Sequence, residues 1–152
     1  MIYGLALAIG VIAGLRAMTA PAMVSFAAWF GWLPLEGTPL AFMASTWAFG
    51  IFAVLALFEL INDQRPSTPS RKVPIQFGGR IVMGGLAGAT IGAAAHVLVP
   101  GLVAGVLGAV IGTYAGAAVR GALAKGFGRD LPAALIEDAV ALGGAFLIVS
   151  QL

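Results

Sequence analysis

The sequence predicts an all-α integral membrane protein, a bundle of about five transmembrane helices with the first broken or kinked near Thr19–Pro21. Three observations predict it. Of the 152 residues, 61% are hydrophobic and 9% are charged, whereas a soluble domain carries about 25% charged residues. So little polar surface cannot cover a water-soluble globule. The apolar residues also come in long runs, and roughly 20 of them suffice to cross a bilayer as a helix. They show no strand-like alternation that would argue for a barrel. Finally, the basic residues concentrate in two connections, as cytoplasmic loops do. The length fits a single domain, residues 1–152.

The predicted spans follow in order. The first covers about residues 3–31, too long for one straight crossing. The second covers 40–61, the third 78–98, the fourth 101–123 and the fifth 132–150. The connection "NDQRPSTPSRKVPIQF" is the one sizeable polar loop, and "VPG" reads as a tight turn between spans three and four. Arg65, Arg71 and Lys72 lie in the polar loop, and Arg120, Lys125 and Arg129 lie in or beside the connection after span four. The positive-inside rule then predicts an inner (plasma) membrane protein with the N-terminus and loops 62–77 and 124–131 in the cytoplasm. A first segment that enters and returns as a re-entrant hairpin would move the N-terminus to the other side. Trp29, Trp32 and Trp47 read as anchors at the outer interface. His96 gets no role.

Several function classes drop out. There are no cysteines, so disulfides, thiolate zinc sites and cysteine nucleophiles are excluded. "MIYGLALAIG" lacks a basic leader region, so the first run is expected to be retained. The net charge is only +2, and no nucleic-acid partner is expected. Paired histidines, HExxH and GxSxG patterns are missing, so no catalytic residue, metal site or cofactor is predicted, and an enzyme is the last of the readings.

Two patterns remain. Gly84, Gly88 and Gly92 in span three, and Gly108, Gly112 and Gly116 in span four, recur on one helix face. Small residues at this spacing let helix backbones approach closely in a membrane. Either the two spans close on each other as a hairpin, or one ladder faces a second copy of the chain.

The second pattern is charge. Arg16, Glu59, Arg80, Arg120, Glu137 and Asp138 fall inside or at the edge of spans, and Asp63 lies one turn beyond Glu59. A charge at the bilayer centre costs about 2.5–3.5 kcal/mol on insertion scales, so these groups should face inward and find partners. Thr19 and Pro21 read as a helix restart, a hydroxyl cap followed by a first-turn proline. Arg16 would sit beside that break, paired with an acid of the second or fifth span. Discontinuous helices of this kind serve at substrate sites in transporters; a proline kink held by a purely structural ion pair is the alternative. "GLRAMTA" and "AVRGALA", each followed by an acidic helix, also echo one another as an inverted repeat of spans 1–2 and 4–5 would.

"GLRA" in the first span, "ELINDQRP" closing the second and "LPAALIEDAVAL" opening the last resemble the bacterial membrane-protein family catalogued as domain of unknown function 4126. The resemblance runs along essentially the whole chain. It implies importance for Arg16, Glu59, Asp63, Pro66, Glu137 and Asp138, and it implies no function. Gln64 and Arg65 depart from that family's tendency to place a lysine after the aspartate. The expected function is a small homo-oligomeric channel or transporter, a dimer in membrane lipid, passing an ion or small polar solute. The alternative is a non-transporting assembly factor or lipid-binding scaffold.

Overall fold

A computed structural model describes residues 1–63 and 73–152, and the described residues form helices and no strands. The helices are α1 (Ile2–Leu15), α2 (Thr19–Trp29), α3 (Thr46–Asn62), α4 (Pro74–Ala94), α5 (Leu98–Phe127) and α6 (Asp130–Val149), with a 3-10 turn at Ala41–Ala44 before α3. Two of them, α5 and α6, are long and apolar enough to cross a membrane. Local chemistry sets the ends. Ser45 caps α3 by accepting from the Ala48 amide at 3.1 Å, and Pro74 occupies the first turn of α4. Gly128, with φ 75°, ends α5 in the left-handed conformation that a glycine takes without cost.

Glycines hold the centre. A Cβ on Gly88 or Gly92 would strike the α5 backbone at Gly101 or Val97, and one on Gly105 would strike the Gly84 carbonyl oxygen. These contacts step down α4 as they step up α5, so the two helices are antiparallel. A Cβ on Gly108 would meet Leu7, Gly10 and Val11, and one on Gly112 would meet Val11. Here the numbers rise together, so α1 runs parallel to α5. The glycine face of α5 thus takes α4 on its first half and α1 on its second. Gly10 and Gly14 supply the other side of that contact, since a Cβ on either would strike α5 backbone. The ladder that might have faced a second copy is spent inside one chain, apart from Gly116, which is buried beside α6 in a crease it shares with Glu137.

Several expectations are corrected here. The first span breaks before Thr19 as the sequence predicts, into α1 and α2, but α2 does not continue α1 across. It starts where α3 ends, beside Glu59, and finishes where α3 begins, with Trp29 Nε1 donating to Thr46 Oγ1 at 3.1 Å. The pair is a hairpin that enters the bundle and returns. Met1 therefore lies at the end of the bundle opposite Asp63 and Asp130, not at the end they share as the sequence predicted. Because α1 and α5 are parallel, spans one and four are not related as an inverted repeat. The turn between α4 and α5 falls at 95–97, with His96 at φ 60°, and Pro100 belongs to the first turn of α5. Trp29, Trp32 and Trp47 do gather at one end, where Trp29 stacks on Phe49 and Trp32 meets Phe146 edge-on. Arg65, Pro66, Arg71 and Lys72 lie outside the described residues.

Candidate functional site

The α1–α2 hairpin must break its hydrogen-bond ladder at its turn, and that break is where the charges meet. Arg16 leaves the helix in extended conformation, φ −140° and ψ 106°. The carbonyls ending α1 and the amides opening α2 then lack helical partners, and buried backbone groups must find others.

Each side of the break is met by one charged side chain from another helix. Arg80 of α4, 3% exposed, donates from Nη1 to the carbonyls of Gly14 at 2.9 Å and Leu15 at 2.8 Å. Glu59 of α3 accepts from the Ala17 amide at 2.7 Å with one oxygen and from the Met18 amide at 2.8 Å with the other. The signs agree with the helix dipoles, a cation at a C-terminal end and an anion at an N-terminal one.

The Arg16 side chain is itself fully buried. Its Nε donates to Asp138 Oδ1 at 2.6 Å, and Nη2 lies 2.5 Å from the same oxygen. Its Nη1 donates to Glu137 Oε1 at 2.8 Å, to Asp63 Oδ2 and to the Leu15 carbonyl at 3.2 Å. A planar fork of five donors suits this division among several carboxylates, which a lysine ammonium could not span. Arg120 of α5 closes the outer side. It binds Asp130 through Nε at 3.1 Å and Nη2 at 2.6 Å, and Nη2 also donates to the Asp63 carbonyl at 3.0 Å. Its Nη1 lies 4.0 Å from Glu137 Oε1.

The structure thus brings together Arg16, Glu59, Asp63, Arg80, Arg120, Glu137 and Asp138, and it joins Arg16 to Glu137 and Asp138 of the fifth predicted span and to Asp63 just beyond the second. One role is corrected. Thr19 opens α2, but no side-chain cap forms there; the Glu59 carboxylate takes that place. The Thr19 hydroxyl is buried and has no hydrogen-bond partner among the described residues. Pro21 does sit in the first turn of α2. The backbone of Leu15, Ala17 and Met18 and the side chain of Asp130 belong to the site but carry no sequence signal of their own. Gly10 and Gly14 did carry one, being four residues apart in an apolar run. Among the described residues no group of three histidine, cysteine or carboxylate residues is placed to hold a metal ion; the guanidinium of Arg16 stands where the carboxylates converge.

A family model described as a domain of unknown function (DUF4126) matches residues 3–151. No curated protein and no solved structure matches the chain.

Proposed function

We propose, from the premise that this chain belongs to the family of unknown function DUF4126, that it is a multi-pass plasma-membrane protein passing an ion or small polar solute through the site at the α1–α2 break. The membrane placement is supported by an inverted distribution of polarity. Trp47 is 83% exposed, Leu147 65% and Phe58 61%, while Arg16 is 0% exposed. Large apolar side chains turned outward around buried charges suit a lipid solvent.

The single observation that carries the transport reading is the pair of half-helix ends inside the bundle. Such ends bind ions and substrates in transporters. Here a tethered cation, Arg80, fills the carbonyl end, and a tethered anion, Glu59, fills the amide end. Side chains occupying both ends describe a closed state, from which a permeating species must displace one of them. Assembly as a homodimer belongs to the same reading. The helix α3 and its C-terminal cap supply Glu59 and Asp63, yet the helix buries only Ala48 and Ala56 along its length, which leaves the face of Trp47, Ile51 and Val54 for a second copy.

A second reading, a non-transporting assembly or lipid-binding scaffold, is favoured by the burial of Arg16 and its ion pairs to three carboxylates. Flux separates the two. The protein in proteoliposomes is assayed for proton, potassium and chloride movement beside Glu59→Gln and Asp138→Asn. Transport predicts flux above protein-free vesicles that both variants change at least fivefold. Background flux in all three proteins, with all three folded and inserted, contradicts transport and leaves the scaffold.

A further inference from the structure

We infer that the groove between α2, α3 and α6 seats one acyl chain of a membrane glycerolipid, whose ester carbonyl accepts a hydrogen bond from Thr19 Oγ1. The inference rests on the membrane placement proposed above and not on transport.

Three threonines, Thr19, Thr90 and Thr113, are buried. Thr90 Oγ1 donates to the Leu86 carbonyl and Thr113 Oγ1 to the Ala109 carbonyl, both at 2.7 Å and both one turn back along their own helix. For Thr19 the residue one turn back is Leu15, across the break, and that carbonyl already receives Arg80 and Arg16. The break thus strands the Thr19 hydroxyl. The residue is 1% exposed, and its oxygen has no partner among the described residues. A buried hydroxyl without an acceptor is unfavourable, and a ligand oxygen removes that cost.

Thr19 also lines a groove of about 380 Å³, with Phe26, Phe49, Ala53, Leu60 and Phe146 around it. That volume lies in the range of roughly 300–1,000 Å³ common to ligand sites. The lining is wholly apolar, so Thr19 now presents carbon to it. Rotation of χ1 by about 120°, from one staggered well to the next, carries Oγ1 to the place Cγ2 held and turns the hydroxyl into the groove.

Length and polarity fix the occupant. Along α3 the lining runs from Phe49 to Leu60. At 1.5 Å per residue that is about 16 Å, close to half of a hydrocarbon core of about 30 Å. The groove therefore matches the chain region of one leaflet. Its single hydrogen-bonding group lies at the Asp63 end and its aromatic side chains lie at the other. A lipid of the leaflet at the Asp63 end would set its ester oxygen at Thr19 and its tail against Phe26, Phe49 and Phe146.

The test uses the full chain in vesicles of a glycerophospholipid carrying a photoreactive group in one acyl chain. Cross-linked residues are mapped by mass spectrometry after vesicle flotation. The expected result is labelling concentrated on Phe26, Phe49 and Phe146. Ala53→Phe, which fills the groove, should reduce it at least fivefold, and Thr19→Val, of nearly the same shape, at least twofold. Gel filtration and circular dichroism establish that the variants are folded, and Leu142→Phe replaces any that is not. Labelling spread equally over the exposed Val103, Leu107 and Val140 and unchanged by the substitutions would show ordinary surrounding lipid and overturn the inference. So would protein-to-protein cross-links in the groove, which indicate a second copy. A chain that does not float with the vesicles overturns the membrane placement as well.

Discussion

Arg16 is the residue on which the others depend. Replacing a buried ion-paired group by an apolar one strands its partners and costs about 3–5 kcal/mol. Arg16→Leu removes the buried guanidinium that Asp63, Glu137 and Asp138 share. It should therefore lower the melting temperature in detergent far more than Lys125→Gln, a change in the last turn of α5. Arg16→Lys should fall between the two, because an ammonium keeps the charge but loses the fork. Glu59→Gln tests the other half of the break. An amide side chain offers one acceptor oxygen where the carboxylate offers two, so one backbone amide loses its partner. Losing a buried hydrogen bond costs about 1–3 kcal/mol, so hydrogen exchange at Ala17 or Met18 should quicken by about tenfold or more, with that of α5 unchanged. At this scale the sequence was legible where electrostatics forces an answer. A guanidinium in an apolar run must meet carboxylates, and spans two and five held the candidates. It was not legible where a side chain binds backbone. Nothing in the spacing of Glu59 or Arg80 announces an amide or carbonyl partner more than 40 residues away.

Helix contacts are set by what is missing from a side chain. Gly105→Ala and Gly108→Ala each place a methyl group against backbone of a neighbouring helix, near Gly84 and near Leu7. Backbone cannot rotate away as a side chain can, so both variants should unfold at clearly lower temperature. Gly121→Ala meets nothing within 4 Å and should be neutral or stabilising by up to about 1 kcal/mol, the helix-propensity difference. Equal loss in all three variants would contradict the assigned faces. The ladders themselves could be read from four-residue spacing. Their partners could not, because the face that contacts α4 and the face that contacts α1 are one stripe on α5, and only tertiary structure divides it. The break was also legible, through Thr19 and Pro21, while the reversal of direction after it was hidden. A run of apolar residues looks the same whether it continues or turns back, and the turn at Arg16 uses neither glycine nor proline.

The whole molecule is organised around that reversal. A hairpin inserted from one end brings backbone polar groups deep into an apolar bundle, and α3, α4 and α6 supply the side chains that satisfy them and Arg16. The arrangement sorts the connections between the two ends of the bundle. Met1, the 30–45 connection and the 95–97 turn share one end, and Asp63 and Asp130 share the other. The absence of native cysteine makes the most direct measurement simple. Single cysteines at Tyr3, Gly37, Ala17 and Lys125 are labelled in sealed membranes with an impermeant thiol reagent, before and after permeabilisation. Tyr3 and Gly37 should react from one side and Lys125 from the other, with Ala17 protected from both. If Tyr3 reacts from the side of Lys125, or Ala17 labels as readily as Gly37, the first two helices do not form an inserted hairpin closed by buried charge.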